Sequence, residues 1–400
     1  MNVAETTRTF LGFFQDRGHQ VIAGGSLVPP GDGPVLFTAA GMHPLTPYLD
    51  GGPPHPQGRR LTGLQRCLRT TDLGEVGDER HLTVFQMLGS WSLGDYDGPQ
   101  SLRWGFELIT EILGTKRDRL YATVFGGDGQ LGPDLAAQRT WDELGVPVEL
   151  TTDDNWWSNG PTGPCGPDSE LFAWTGDGPP QGCPTTDERW MELWNHVTMR
   201  FRRHGDGRLE PLPRPNVDTG MGLERLLMIT QGVPSVFGTD VFRPWMTALP
   251  GLWQPDDLSL RLIADHLRAS IVIIGDGVRP SSTGRGYVLR RLLRRVLTML
   301  WRTDRSRTLG ELPAGLLEHT LAQFGQDGDP ELIRGILGDE ERRFAELMTR
   351  GHKVLARFGP GWQPTSQDLS YLHQTHGLPP DLVTDLLTGQ GETRRSAPGQ

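Results

Sequence analysis

The order of patterns along the chain predicts an α+β fold: a mostly antiparallel sheet flanked by helices, followed by a separate helical domain. Three observations carry this. Short strand-like runs recur before residue 238, and they are joined by helical patterns and long loops without regular βαβ alternation. Beyond that point the pattern becomes helix after helix. The chain has 400 residues, more than one ordinary core organises. Domains are therefore expected at 1–237 and 238–390, with a flexible tail at 391–400.

The elements follow in order. TFLGFFQDRGH has apolar positions at helical spacing and ends at Gly18. SLVPPGDGPVLFTAAGM reads as loop, turn and strand, because Pro29, Pro30, Gly31 and Gly33 oppose a helix. LTVFQM (82–87) and RLYATVFG (119–126) read as strands, with SLRWGFELITEIL an amphipathic helix between them. LFAW (171–174) and WNHVTMRFRR (194–203) continue the strand series, and NVDTGMGLERLLMITQG (216–232) passes from strand to helix. LRLIADHLRASIVII, GYVLRRLLRRVLTMLWR and ELIRGILGDEERRFAELMTRGHKVLARF supply the helical domain.

Composition narrows the function classes. Hydrophobic content of 36% with 22% charged residues describes a soluble chain, and no apolar run reaches the roughly 18 to 20 residues of a membrane span. Glu5 and Arg8 interrupt the stretch where a signal peptide would be apolar, so a cytoplasmic location is expected. Cys67, Cys165 and Cys183 form neither a paired framework nor a CxxC pattern, so no structural zinc is expected. The net charge of -10 argues against indiscriminate nucleic-acid binding. Between Arg279 and Arg307, however, nine arginines face a single acid, Asp304, which suits one positioned anionic partner.

Two stretches carry chemistry. In DTGMGLER a strand entering a helix would expose backbone N–H groups at the helix N-terminus, where negative charge is favoured. Gly220 and Gly222 would let a flat or anionic ligand lie against the main chain, with Arg225 one turn on. The alternative is a glycine-rich turn with a surface Glu-Arg pair. In RCLRTTDLGEVGDERHLTVFQMLG (66–89) a cation cluster precedes His81 and Phe85, which an extended strand would place on one face.

Taken together, FTAAGM, RCLRTTD with FQMLGSWSLGDY, NWWSNGPTGPCGP, LWNHVTMRF, VDTGMGLER and ADHLR with RPSSTGRGYVLRR resemble the alanyl-tRNA synthetases, class II aminoacyl-tRNA synthetases. The resemblance is dense over residues 8 to 300. It implies a class II sheet that binds ATP and alanine, with Mg²⁺ on the phosphates, and it implies roles for matching residues. Arg69 would hold the α-phosphate in the transition state. His81 would face the terminal phosphates, Phe85 would stack on adenine beside Met87, and Gly222 and Arg225 would complete the ATP site, Arg225 acting with Arg69 in catalysis. Asp218 would pair with the substrate ammonium above Gly220, and Trp157, Asn195 and Val197 would wall a pocket one methyl deep. The Mg²⁺ ligand is left open, with Glu170 as one candidate. In the helical domain Ser282, Arg285, Arg290, Arg291, Arg294 and Gln374 would meet the acceptor stem of tRNA.

The sequence also departs from the family. Pro161 replaces an acid, Gln86 a glutamate and His196 a hydrophobic residue. PSSTGRG has Ser282 in place of asparagine, and LHQTHGLP has Gln374 in place of aspartate. In the family that asparagine and aspartate read the G·U wobble pair of alanine tRNA. Nothing in the chain resembles the family's editing zinc site, so an editing-less, stand-alone enzyme is expected. It would make alanyl-adenylate and then alanyl-tRNA. Two alternatives stay open: an adenylate-forming ligase that passes alanine, or another small amino acid, to a carrier protein or small molecule, and a non-catalytic tRNA-binding pseudo-synthetase.

Overall fold

A computed structural model describes residues 1–30, 35–49, 52–152, 154–359, 362–380, 382–384 and 386–387. It divides into two units, Met1–Ala248 and Leu249–Gln400. The tail expected at 391–400, with Gly31 and Gly33 of the predicted turn, lies outside the described residues.

In the first unit, α1 (Val3–Gln15) starts at a capping box in which Asn2 accepts from the Glu5 amide and Glu5 accepts from the Asn2 amide. There follow β1 (Gln20–Ile22), the single turn α2 (Thr46–Leu49), β2 (Arg60–Leu68), β3 (Val84–Ser92) and α3 (Gly98–Glu107). Next come β4 (Leu120–Phe125), α4 (Leu135–Leu144), β5 (Val148–Thr151), β6 (Trp156–Ser158), β7 (Gly163–Trp174), β8 (Trp190–Arg203), β9 (Leu209–Gly222) and α5 (Leu223–Gln231). The described strands form one sheet in the order β1-β2-β3-β9-β8-β7-β4-β5, with β6 paired to the first part of β7. Only the outer pairs β1/β2 and β4/β5 are parallel. The mixed, largely antiparallel sheet is the α+β class that the sequence predicts.

One face of the sheet is covered by helices and the other carries the hollow of the site. Trp194 of β8 packs against Phe10 and Phe14 of α1, and His196 lies under Gly105 of α3 with its Nδ1 2.9 Å from Ser101 Oγ. Burial pushes His196 down to about 3, so it sits there as a neutral ring. The histidine that departs from the family is thus a covered core residue, turned away from the hollow.

Several sequence expectations need correction. Among the described residues of 26–42 no strand forms; the Thr38 N–H donates to the Leu27 carbonyl (2.8 Å) and the Thr38 carbonyl accepts from the Leu68 N–H (2.8 Å). DTGMG is not a turn, and it leads from strand to helix as expected, with Gly222 as the N-cap of α5. It is the end of β9, paired with β3 on one side and β8 on the other, so the sheet ladder already engages this stretch of backbone. His81 precedes β3 and does not extend it.

The division between units falls inside α6 (Arg243–Trp253), whose Trp245, Leu249 and Trp253 are fully buried. The composition-based boundary at 237/238 lies ahead of this helix. The second unit continues with α7 (Asp257–Gly275), α8 (Gly284–Thr303), α9 (Ala314–Gln323), α10 (Pro330–Leu355) and α11 (Ser366–His376). Among the described residues no helix is long and apolar enough to cross a membrane.

Candidate active site

Register builds the site. Residues directly opposite one another in neighbouring strands share a face, and so do positions two apart along one strand. One row across the sheet reads Gly89, Gly220, Asn195, Glu170 and Thr123. The next row on the same face reads Trp91, Asp218, Val197 and Asp168. Beside Gly220, Gly222 faces Met87. Gly89 makes room for the Trp91 ring and Gly220 for Met87, so that of these three glycines Gly222 alone is left bare beside the cleft.

The two motif glycines serve different ends. A Cβ on Gly220 would lie 2.7 Å from Met87 Sδ, so this position makes room for a protein side chain. A Cβ on Gly222 would meet nothing closer than the side chain of Arg225 at 3.8 Å, and its φ of -66° suits any residue. Its bare backbone is required neither by strain nor by crowding, and it borders the cleft.

One end of the cleft is acidic and narrow. Asp218, 6% exposed, accepts a 2.7 Å bond from Trp91 Nε1. Burial pushes its carboxyl up to about 7, against that bond, which lowers it. Val197 belongs to the core cluster around Met42, Leu61 and Trp91, and Trp157 both packs on that cluster and lines the cleft. Asn195 donates to Asp168 Oδ2 at 2.7 Å and to Glu170 Oε1 at 3.4 Å. Burial, then the charges of Glu192 and Asp168, push Glu170 up to about 9.

The other end is cationic. Arg69 follows β2 directly, with Nε 3.3 Å from the Ala39 carbonyl and its guanidinium 5.3 Å from the centre of the Phe85 ring. His81 lies 2.6 Å from Asp78 and 3.2 Å from Glu75. Arg225 is anchored by Glu192, through both its carboxylate (2.9 Å) and its carbonyl (3.0 Å).

Arg69, His81, Phe85, Met87, Trp157, Glu170, Asn195, Val197, Asp218, Gly220, Gly222 and Arg225 all line this one cleft. Sequence reasoning missed Arg80 and Glu192, which line it too. Arg80 is held by the Glu188 carbonyl and by Thr175. Its neighbourhood with His81 in DERH was a usable signal; Glu192 gave none, because only the fold brings it to Arg225. Among the described residues no group of three or more His, Cys, Asp or Glu side chains is arranged to hold a metal ion.

The basic helix resolves into distinct fates. Arg294 Nε donates to Glu340 of α10 at 2.8 Å, Arg290 stands 3.4 Å from the same oxygen, and Glu340 is 1% exposed. Arg291 and Ser282 are exposed, Arg285 is half-buried, and exposed Gln374 donates to Ser370 at 3.1 Å on α11.

A family profile described as tRNA synthetases class II (A) matches residues 5–393. A protein named alanine–tRNA ligase from Treponema pallidum is 41% identical over 96% of this chain and 67% of its own length. Namesakes from Borrelia hermsii and Methylococcus capsulatus are 38% and 40% identical, each over 98% of this chain, and the chain spans 70% and 47% of them. An antiparallel sheet with one bare hollow between an acidic and a cationic end, matched along nearly its whole length by these relatives, places the chain in the alanine–tRNA ligase family of the class II (A) tRNA synthetases.

Proposed function

We propose that the chain activates alanine with ATP to alanyl-adenylate and transfers the alanyl group to tRNA. The carrying observation is that one cleft is lined both by the buried Asp218 carboxyl and by the guanidinium groups of Arg69, Arg80 and Arg225. Ionised Asp218 attracts the alanine ammonium, and Val197 with Trp157 leaves room for a methyl group. That orientation turns the alanine carboxylate toward the cationic end. There the carboxylate oxygen attacks the α-phosphorus of ATP, the bond to the bridging oxygen breaks, and pyrophosphate leaves. Arg69 neutralises charge that grows on the α-phosphate during attack. Arg225, already positioned by Glu192, and His81 hold the outer phosphates. In the second step a terminal ribose hydroxyl of tRNA attacks the alanyl carbonyl and AMP departs.

The donor set fits Mg²⁺ bound mainly through phosphates and water. Carboxylate oxygens of Glu170 and Glu192 in the wall are hard donors, and one or two such ligands suffice for this ion. When bound, Mg²⁺ supplies charge neutralisation on the phosphates. The remaining work belongs to the side chains named above.

Alanine-dependent exchange of pyrophosphate into ATP, followed by charging of alanine tRNA, tests the reading. Exchange with alanine above glycine and serine is expected, with discrimination limited to about 1 to 3 kcal/mol by the small size of the difference. Absence of exchange with alanine would overturn it.

A further inference from the structure

Asp168 has no part in the chemistry above, yet it stands in the row of Trp91, Asp218 and Val197 and is 4% exposed. A carboxylate is buried this deeply only when something binds it. Its partners are the Asn195 amide and, as a second side-chain neighbour, Asn155. Asn195 Nδ2 lies 2.7 Å from Asp168 Oδ2 and 3.4 Å from Glu170 Oε1, so two acceptors crowd one end of that amide. Turning the amide over would set its oxygen against the carboxylate of Asp168, and the geometry therefore fixes nitrogen inward. Asn195 Oδ1 is left without a hydrogen-bond partner and out of contact with solvent, whereas Asp168 has the Asn155 amide beside it. A buried acceptor without a donor is rare in folded proteins and points to a donor that arrives with a ligand.

We propose that Asp168, seconded by Glu170, is a positioning residue for the amino-acid end of the cleft: it locks the Asn195 amide so that its oxygen joins Asp218 in accepting N–H groups of the substrate ammonium. This rests on the reading that the cleft binds an amino acid. Two acceptors at one amine select an unsubstituted α-ammonium, because an N-methyl group removes a donor and fills the space of the second acceptor. At pH 8 ionised Asp168 sets the orientation, and Glu170, pushed up to about 9, adds its carbonyl oxygen as a second acceptor.

The test is calorimetric titration of the full chain at pH 8 with L-alanine and, separately, with ATP, for the wild type, Asp168→Asn and Asp168→Ser. The asparagine keeps the volume and offers its own carbonyl to Asn195, whereas the serine is too short to reach it. Asp168→Ser is expected to weaken alanine by about tenfold or more and leave ATP within about twofold. Asp168→Asn should stay within about threefold of the wild type for both, and N-methylalanine should bind the wild type at least about tenfold more weakly than alanine does. Equal losses in the two variants, a parallel loss for ATP, or no loss in Asp168→Ser would overturn the assignment. A wild type that binds alanine but supports no exchange would overturn the activity while leaving Asp168 in its role, and a wild type that binds no alanine would overturn both.

Discussion

At the scale of single residues, the site holds an ionisable group against its own preference. Asp218 has a folded-state pKa near 7 because burial disfavours its charge. The folded chain therefore binds this proton more tightly than the unfolded chain, whose carboxyl titrates near 3.8. The stabilisation from that proton is complete below the unfolded value and is lost as pH rises through about 7. At pH 8 the ionised carboxylate is a destabilising element, one that the proposed function pairs with the substrate ammonium. Asp218→Asn retains an acceptor for Trp91 and removes the charge. It is expected to raise stability at pH 8 by roughly 1 to 3 kcal/mol, a gain that shrinks as pH falls toward 5. Alanine-dependent exchange should fall by about a hundredfold or more. Thermal melts at both pH values check the first outcome, and a variant less stable than the wild type at pH 8 would contradict it. Asp218, Asn195 and Val197 entered as candidates through the family resemblance, and the register of β8 and β9 brings them to one face with Gly220. Asp168, Glu192 and Trp91 were not legible as site residues, because their meaning lies in cross-strand register, which one sequence does not display.

At the scale of elements, the glycines of β9 separate folding from binding. Gly222→Ala adds a Cβ into space bounded by ordinary contacts at an extended backbone position. Stability should be unchanged or raised by about 0.5 kcal/mol, while KM for ATP rises by about tenfold. Exchange kinetics beside a melting curve separate these effects; an unaltered KM would remove Gly222 from the ATP site. In the helical unit, Glu340 between Arg290 and Arg294 is a buried carboxylate shared by two guanidinium groups. Glu340→Ala strands both cations and should lower the stability of this unit by about 3 kcal/mol, read from denaturant unfolding. A loss below about 0.5 kcal/mol would show that solvent already screens the pair. Here amphipathic spacing disclosed the helix but not its partner: every third or fourth arginine of α8 reads as solvent-facing until α10 is packed beside it. Strands β1, β2, β5 and β6 escaped for a related reason. They are short, or, like RLTGLQRCL, carry arginine, glycine and glutamine where alternation would be sought.

At the scale of the whole molecule, the proposed activation chemistry and the proposed contacts to RNA draw on different stretches of chain. With Arg290 and Arg294 engaged by Glu340, fewer cations of α8 are offered to phosphate than its arginine content implies. Ser282 and Gln374, both exposed, are a hydroxyl and a long amide where the family resemblance leads one to expect an asparagine and an aspartate. Hydrogen-bond readout in a shallow RNA groove depends on reach and donor type. Two acceptor-stem minihelices that differ only in a G·U or Watson-Crick third pair should therefore be charged at rates within about tenfold of one another. A preference for G·U of several orders of magnitude would show that other residues do the reading. Finally, the division between the units falls within the sequence of α6, whose Trp245, Leu249 and Trp253 are fully buried. Compact modules joined by a loose tether can be parted by a protease or recombined by gene fusion, but a continuous helix offers neither enzyme nor engineer a clean seam. Limited proteolysis should leave residues 243–253 intact until global unfolding, and a chain truncated at 248 should aggregate through its severed helix.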